Sequence, residues 1–295
     1  MLLLTGATGL VGTAVLPRLL DAGEPVRCLV RDPRRLGEQR VRVQIALGDL
    51  VDPPSFRNAL RGVRTVVHLA ASIRDQPGGS IEELNGIATW RMVQAAERAG
   101  VEHFVFFSTL EASSHHRARL FRAKALAEQA VRESDMRTTV FAPSIVYGPG
   151  DRWLTLLERL ALAPVMPLAG SGRALYQPIW ARDVAGCVAA ALDEQATANG
   201  GRHRRYELAG PEVLSHEQIV RLVLASLHRR RAVVHVPTPI VSRLLRALEA
   251  VAGSRAFATW DEAELMEVPM LSSRGVADAE ALGITPQPMR AVLGR

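Results

Sequence analysis

The stretch LLLTGATGLVG, Leu2 to Gly12, constrains the fold more than any other. An apolar run passes directly into three glycines spaced GxxGxxG, and a helical pattern follows. A strand turning sharply into a helix needs a residue without Cβ. A second such residue lets backbone approach a pyrophosphate, and a third lets helix and strand pack closely. The helix start then offers free N–H groups and its positive dipole end to an anion. Gly6, Thr8, Gly9, Leu10, Val11 and Gly12 are the expected dinucleotide-cradling residues. The alternative is a tight strand–helix turn with no ligand.

Apolar strands and helical patterns then alternate. The strand candidates are Leu2–Gly6, Pro25–Val30, Val43–Leu47, Thr65–Ala70, His103–Ser108 and Thr138–Ala142. Helices are expected between them, with Pro17 kinking the first. This alternation predicts an α/β fold, a Rossmann-type doubly wound parallel sheet. Residues 1–165, with 176–193 returning, form the expected nucleotide-binding domain. Residues 166–175 and 194–295 form a small mixed C-terminal lobe, with a helix capped by Ser215 and Gln218. The stretch PIVSRLLRALEAVAG within it reads as an amphipathic helix.

The end of the second strand selects the cofactor. It reads CLVRDP, so Arg31 comes first and Asp32 next, with Arg34 and Arg35 close behind. A guanidinium matches a ribose 2′-phosphate, which favours NADP(H). NAD(H) stays possible if Arg31 only stacks on adenine or Asp32 takes the ribose.

With 295 residues, 48% of them hydrophobic, the chain can bury a large core. Its net charge of +6 and pI near 10.2 suit anionic partners. The arginine clusters lack interleaved aromatics, so nucleic acid is an unlikely partner. Cys28 and Cys187 lie in apolar segments and are expected to be reduced core thiols. No metal-ligand spacing occurs. The first residues run straight into the glycine motif, so neither a secretory leader nor a membrane span is expected. A cytoplasmic location follows, with the inner membrane face as a peripheral option.

TGATGLVG, GDLVDPPSF, VVHLAA, FSTLEA, AKALAE and PSIVYGPGD occur in an order that resembles the extended, atypical short-chain dehydrogenases/reductases. PSIVYGPGDRWL, YQPIWARDVA, YELAGPEVLSHEQIV and LGITPQP are similar to the NAD(P)H-binding accessory subunits of respiratory complex I and their bacterial relatives. The resemblance implies that Asp49, with Leu50, meets the adenine, and that Ala70 and Ala71 line the middle of the cofactor. It places the active-site hydroxyl at Ser108 and Thr109 and the ribose-holding ammonium at Lys124. Pro143, Ser144 and Ile145 would line the nicotinamide pocket. Asp49 also reads as a turn residue, and Lys124 as a solvated helix lysine.

One departure matters. Catalytic members carry a tyrosine four residues before the lysine, and here that position is Leu120. A leucine moves no proton. His115, His116, Tyr147 and Glu111 are the candidate substitutes; His68 reads as structural. The expectation is an NAD(P)(H)-binding protein of low or no reductase turnover, redox-sensing or attached to a respiratory complex or membrane surface. The alternative is an NADP-dependent oxidoreductase or epimerase with a displaced proton donor.

Overall fold

Apolar strands of four to seven residues build the centre of the molecule. In this computed structural model the described residues are 1–197, 201–241, 243, 245 and 260–294. The first six strands are β1 (Leu2–Thr5), β2 (Val26–Val30), β3 (Gln44–Leu47), β4 (Thr65–His68), β5 (His103–Phe107) and β6 (Arg137–Pro143). Short ribbons follow: β7 (Val146–Tyr147), β8 (Val165–Ala169), β9 (Leu175–Tyr176), β10 (Ile179–Trp180), β11 (His203–Leu208), β12 (Leu214–Ser215) and β13 (Ala232–Val236). Seven strands pair in the order β11-β6-β5-β4-β1-β2-β3, every pair parallel. β1 and β5 are buried along their whole length, as strands covered on both faces must be.

The longer helices and the turn before β4 are α1 (Leu10–Asp21), α2 (Pro53–Phe56), α3 (Ala88–Arg98), α4 (Arg119–Glu133), α5 (Arg152–Leu160), α6 (Ala181–Thr197) and α7 (His216–Ser226), and short helical turns follow at Trp260–Leu265, Ala277–Ala281 and Met289–Leu293. α1 continues through Pro17 and packs on α6 over one sheet face, with Val15, Leu16, Val184 and Val188 in the shared core. The other face is covered by Phe56, Leu60, Met92, Val93, Ala127 and Val131. A further cluster joins Tyr147, Leu154, Leu157, Met166, Tyr176, Ile219, Val223 and Met289. The Ser215–Gln218 capping box that starts α7 is present as read from sequence. Cys28 and Cys187 are buried free thiols, each pushed up to about 12 by burial.

The expected lobe boundary needs correction at two places. His203–Leu208 was assigned to the lobe, yet it forms β11, the edge of the main sheet, paired with β6. Its charged HRRYEL sequence suits an edge strand, which needs only one apolar face. In the other direction, Tyr147, Leu154 and Leu157 belong to the further cluster, although they precede residue 165. The stretch PIVSRLLRALEAVAG lies largely outside the described residues. No helix among the described residues is long and apolar enough to cross a membrane.

Candidate functional site

The strand order reverses between β1 and β4, and in open α/β sheets the carboxyl ends of the strands at such a point form the ligand crevice. The glycine loop lies at that point. Gly6 has φ +73, and a Cβ on it would lie 2.6 Å from the Ala70 nitrogen. A Cβ on Gly12 would lie 2.1 Å from the Gly6 oxygen. Gly9 is the N-cap of α1 and supplies no side-chain cap; the first turn carries no acidic residue. The uncapped N–H groups face a cradle free of side-chain bulk, which fits a pyrophosphate. Thr8, Leu10 and Val11 are half-buried around it.

Arg31 extends from the end of β2 across the crevice. Its Nη1 lies 3.3 Å from Gln76 Oε1 and 4.0 Å from Asp49 Oδ2. Both side chains of that ion pair are exposed enough for solvent to weaken it, leaving the guanidinium available to an anion. Asp32 is committed elsewhere: its Oδ1 accepts from the Arg34 amide at 3.0 Å, capping the turn that follows. Asp49 Oδ1 accepts from the Val51 amide at 3.2 Å, so it is a turn residue whose other oxygen faces Arg31. Leu50 packs on the core beneath.

Ala70 and Ala71 follow β4, and their position is fixed from below. Asn85, fully buried, accepts from the Ser72 amide at 3.1 Å and donates to the Ser72 and Ile81 carbonyls at 2.7 and 2.8 Å. Asn85 sits in a π-type turn that runs into α3, and Thr89 Oγ1 donates to its carbonyl. With that hydrogen spent, Thr89 Oγ1 accepts from His68 Nε2 at 3.1 Å. His68 Nδ1 then accepts from Thr5 Oγ1 at 2.9 Å. Burial, helped by the Lys124 charge, pushes His68 down to about 3. It is a neutral strut joining β1, β4 and α3.

Lys124 is buried, not solvated. Its Nζ donates to the Phe107 carbonyl at 2.6 Å and lies 4.9 Å from the Phe106 ring centroid. Burial pushes it down to about 8, against the opposing pull of Glu128. The neighbouring Ser108 Oγ is buried and has no hydrogen-bond partner among the described residues. One turn earlier, Leu120 packs against the apolar cluster and lines, with Ile73, Ile81, Ala118, Arg119, Glu264 and Leu265, a void with no room for a water molecule.

A segment from far along the chain roofs this side. The turn Trp260–Leu265 brings Glu262 onto Arg74, whose Nε and Nη2 lie 3.0 and 2.5 Å from Glu262 Oε1. Met270 then meets Thr109 and Ser144: Thr109 Oγ1 points to its sulphur at 3.7 Å, and Ser144 Oγ donates to its carbonyl at 2.8 Å. Pro143 and Ile145 are buried beside Ser144. Arg119 holds the loop below, forking to Glu82 at 2.7 and 2.9 Å and to Asp75 at 3.0 Å.

The proposed substitutes for tyrosine are placed as follows. His116 Nδ1 accepts from the Ala118 amide at 2.9 Å, and its ring meets Phe121 edge-on. His115 is exposed and Glu111 half-buried. Tyr147 is buried, its hydroxyl has no partner among the described residues, and burial with the Asp183 and Glu212 charges keeps it protonated. Asn85, Arg74 and Arg119 were missed from sequence. Only Asn85 left a signal there, as a polar residue opening an apolar helical stretch.

Switch-point crevice, glycine cradle and uncapped helix start together define a nicotinamide-dinucleotide-binding α/β protein. The chain belongs to the NAD(P)H-binding family, whose profile matches residues 6–159, and the expected atypical short-chain dehydrogenase/reductase grouping is borne out. It is 28% identical over 254 residues to the mitochondrial NADH dehydrogenase [ubiquinone] 1 alpha subcomplex subunit 9 of Arabidopsis thaliana, covering 81% of this chain. The chain spans 61% of that relative's length. It is 34% identical over 229 residues to a (4-alkanoyl-5-oxo-2,5-dihydrofuran-3-yl)methyl phosphate reductase of Streptomyces griseus, covering 75% of this chain and 72% of the relative. Its fold matches a nucleoside-diphosphate-sugar epimerase of Staphylococcus aureus at TM-score 0.75 and 19% identity, over 100% of this chain and 99% of the other.

Proposed function

We propose that this chain holds NADP(H) in the crevice above β1 and β4 and turns it over slowly or not at all. It serves as a redox-sensing protein or as a subunit attached to a larger complex or membrane surface. The observation that carries the reading is the pair Leu120 and Lys124. The place of a phenol is filled by a leucine packed among apolar side chains, and the ammonium one turn on is spent on the Phe107 carbonyl. A general acid typically contributes about 10²–10⁴ in rate, so its absence leaves a sluggish reductase at best.

Gly6, Gly9 and Gly12 would cradle the pyrophosphate, Asp49 and Leu50 would meet the adenine, and Arg31 would hold the 2′-phosphate. A bound nicotinamide supplies a hydride. The chain's own contribution is to position that ring near Ala70, Ala71 and Pro143 and to cover it. The Arabidopsis relative supports attachment to a complex, since its name places it in one.

A second reading rests on Ser108, whose buried hydroxyl has no partner among the described residues and lies beside a lysine pushed down to about 8. With Ser108, Thr109 and Lys124 as the catalytic groups, the chain would be an oxidoreductase or epimerase acting on a hydrophobic carbonyl or sugar nucleotide.

Fluorescence titration with NADPH and NADH tests the cofactor. NADPH is expected to bind more tightly, and Arg31→Ala to erase a preference of about tenfold or more, the worth of a charge-assisted bond. Equal affinities in the wild type sink the NADP assignment. Consumption of NADPH against quinones, aldehydes and nucleotide sugars tests turnover. Rates well below the roughly 1 s⁻¹ floor of ordinary enzymes are expected, and faster turnover favours the second reading.

A further inference from the structure

The ribbon β8–β13 has an unusual outer face. Its parallel register pairs Val165 with Ala232, Pro167 with Val234 and Ala169 with Val236. These alternate residues point the same way. The opposite side, with Met166, Leu168 and Val233, packs into the apolar cluster. A ribbon buried on one face normally turns polar residues outward. Here all six outward residues are apolar, with Val165 44% and Val234 45% exposed.

Arginines rim the entry end of the ribbon. Arg229 Nη1 and Arg231 Nε donate to the Ala161 carbonyl at 3.2 and 3.3 Å. Leu162, the next residue, is 64% exposed. Arg230 and Arg159 are exposed nearby. Residues 159–169 and 228–241 hold these four arginines and two histidines and no carboxylate of their own; Glu158 is exposed just before Arg159, and Glu217 and Glu267 reach His235 and Thr238.

We propose that this face docks on an anionic lipid bilayer. Leu162, Val165 and Val234 would enter the acyl boundary, and the arginines would meet headgroup phosphates. The inference deepens the membrane-surface part of the function proposed above and rests on that part alone.

The test is co-sedimentation of the whole chain with phosphatidylcholine vesicles, with and without a third of phosphatidylglycerol, at physiological salt. Binding to the anionic vesicles alone is expected. Val234→Glu, Leu162→Glu and Arg230→Glu are each expected to weaken it about tenfold. NADPH titration of the same variants is expected to match the wild type, so failure of docking and failure of nucleotide binding are read separately. The proposal is overturned by absence of binding or by equal binding to neutral vesicles. It is also overturned if only Arg230→Glu matters, which marks plain adsorption of a basic protein. A dimer in light scattering that Val234→Glu dissolves would assign the face to a second copy instead.

Discussion

Gly12→Ala is expected to cost at least about a hundredfold in NADPH affinity together with roughly 1–3 kcal/mol of stability, the usual price of overpacking. The added Cβ would lie 2.1 Å from the Gly6 oxygen and 2.7 Å from the Ala7 Cα. Both are backbone atoms of the turn, so no side chain can swing aside. α1 would have to lift off β1, taking its start away from the phosphate position and disturbing its packing on α6. Gly9→Ala is the control. Its Cβ meets only the Gly6 oxygen, at 3.3 Å, so the fold should keep nearly all its stability. Affinity should still fall, because the methyl would stand where phosphate approaches the helix. Nucleotide titration and urea unfolding on both variants separate the packing glycine from the approach glycine. Wild-type affinity in Gly12→Ala would remove the cradle from the account.

Acid is the second large expected effect. Burial pushes His68 down to about 3, with the Lys124 charge helping. Burial pushes His103 down to about 4, with Arg137 helping, and His216 to about 4. Each folded pKa lies below the unfolded value near 6.5. Between the two values the unfolded chain binds more protons, so stability rises with pH and is lost as pH falls through that window. Each histidine should lose on the order of 2 kcal/mol between about pH 7 and pH 5. Asp151 and Asp183, both raised by burial, act in the opposite direction and offset part of the loss. Urea midpoints at the two pH values measure the net effect. His68→Gln, whose amide can still bond Thr5 and Thr89, should flatten the dependence. A pH-independent midpoint would mean that these rings titrate in the folded state as they do in the unfolded chain.

The nucleotide half of the site was legible because its signals are local. The glycine spacing, the largely apolar β1 and β5 and the Ser215–Gln218 box each lie within a dozen residues. The side proposed for the nicotinamide was not legible, because contacts between distant residues build it. Arg74 and Arg119 look like ordinary surface arginines in sequence; partners far along the chain fix them, Glu262 for one and Asp75 with Glu82 for the other. Lys124 reads equally as solvated or functional until the Phe107 carbonyl is found above it. β11 was misplaced because an edge strand tolerates charges that a central strand would reject.

The roof formed by Glu262 and Met270 also sets an order of assembly during synthesis. Arg74 and Glu262 are 188 residues apart in the chain. Loop closure over such a span costs little more than over a short one. A growing chain therefore has its phosphate cradle and all seven sheet strands in hand while the nicotinamide side still faces water. A nucleotide captured at that stage is enclosed only once residues 260–272 have emerged from the ribosome, so loading can precede closure.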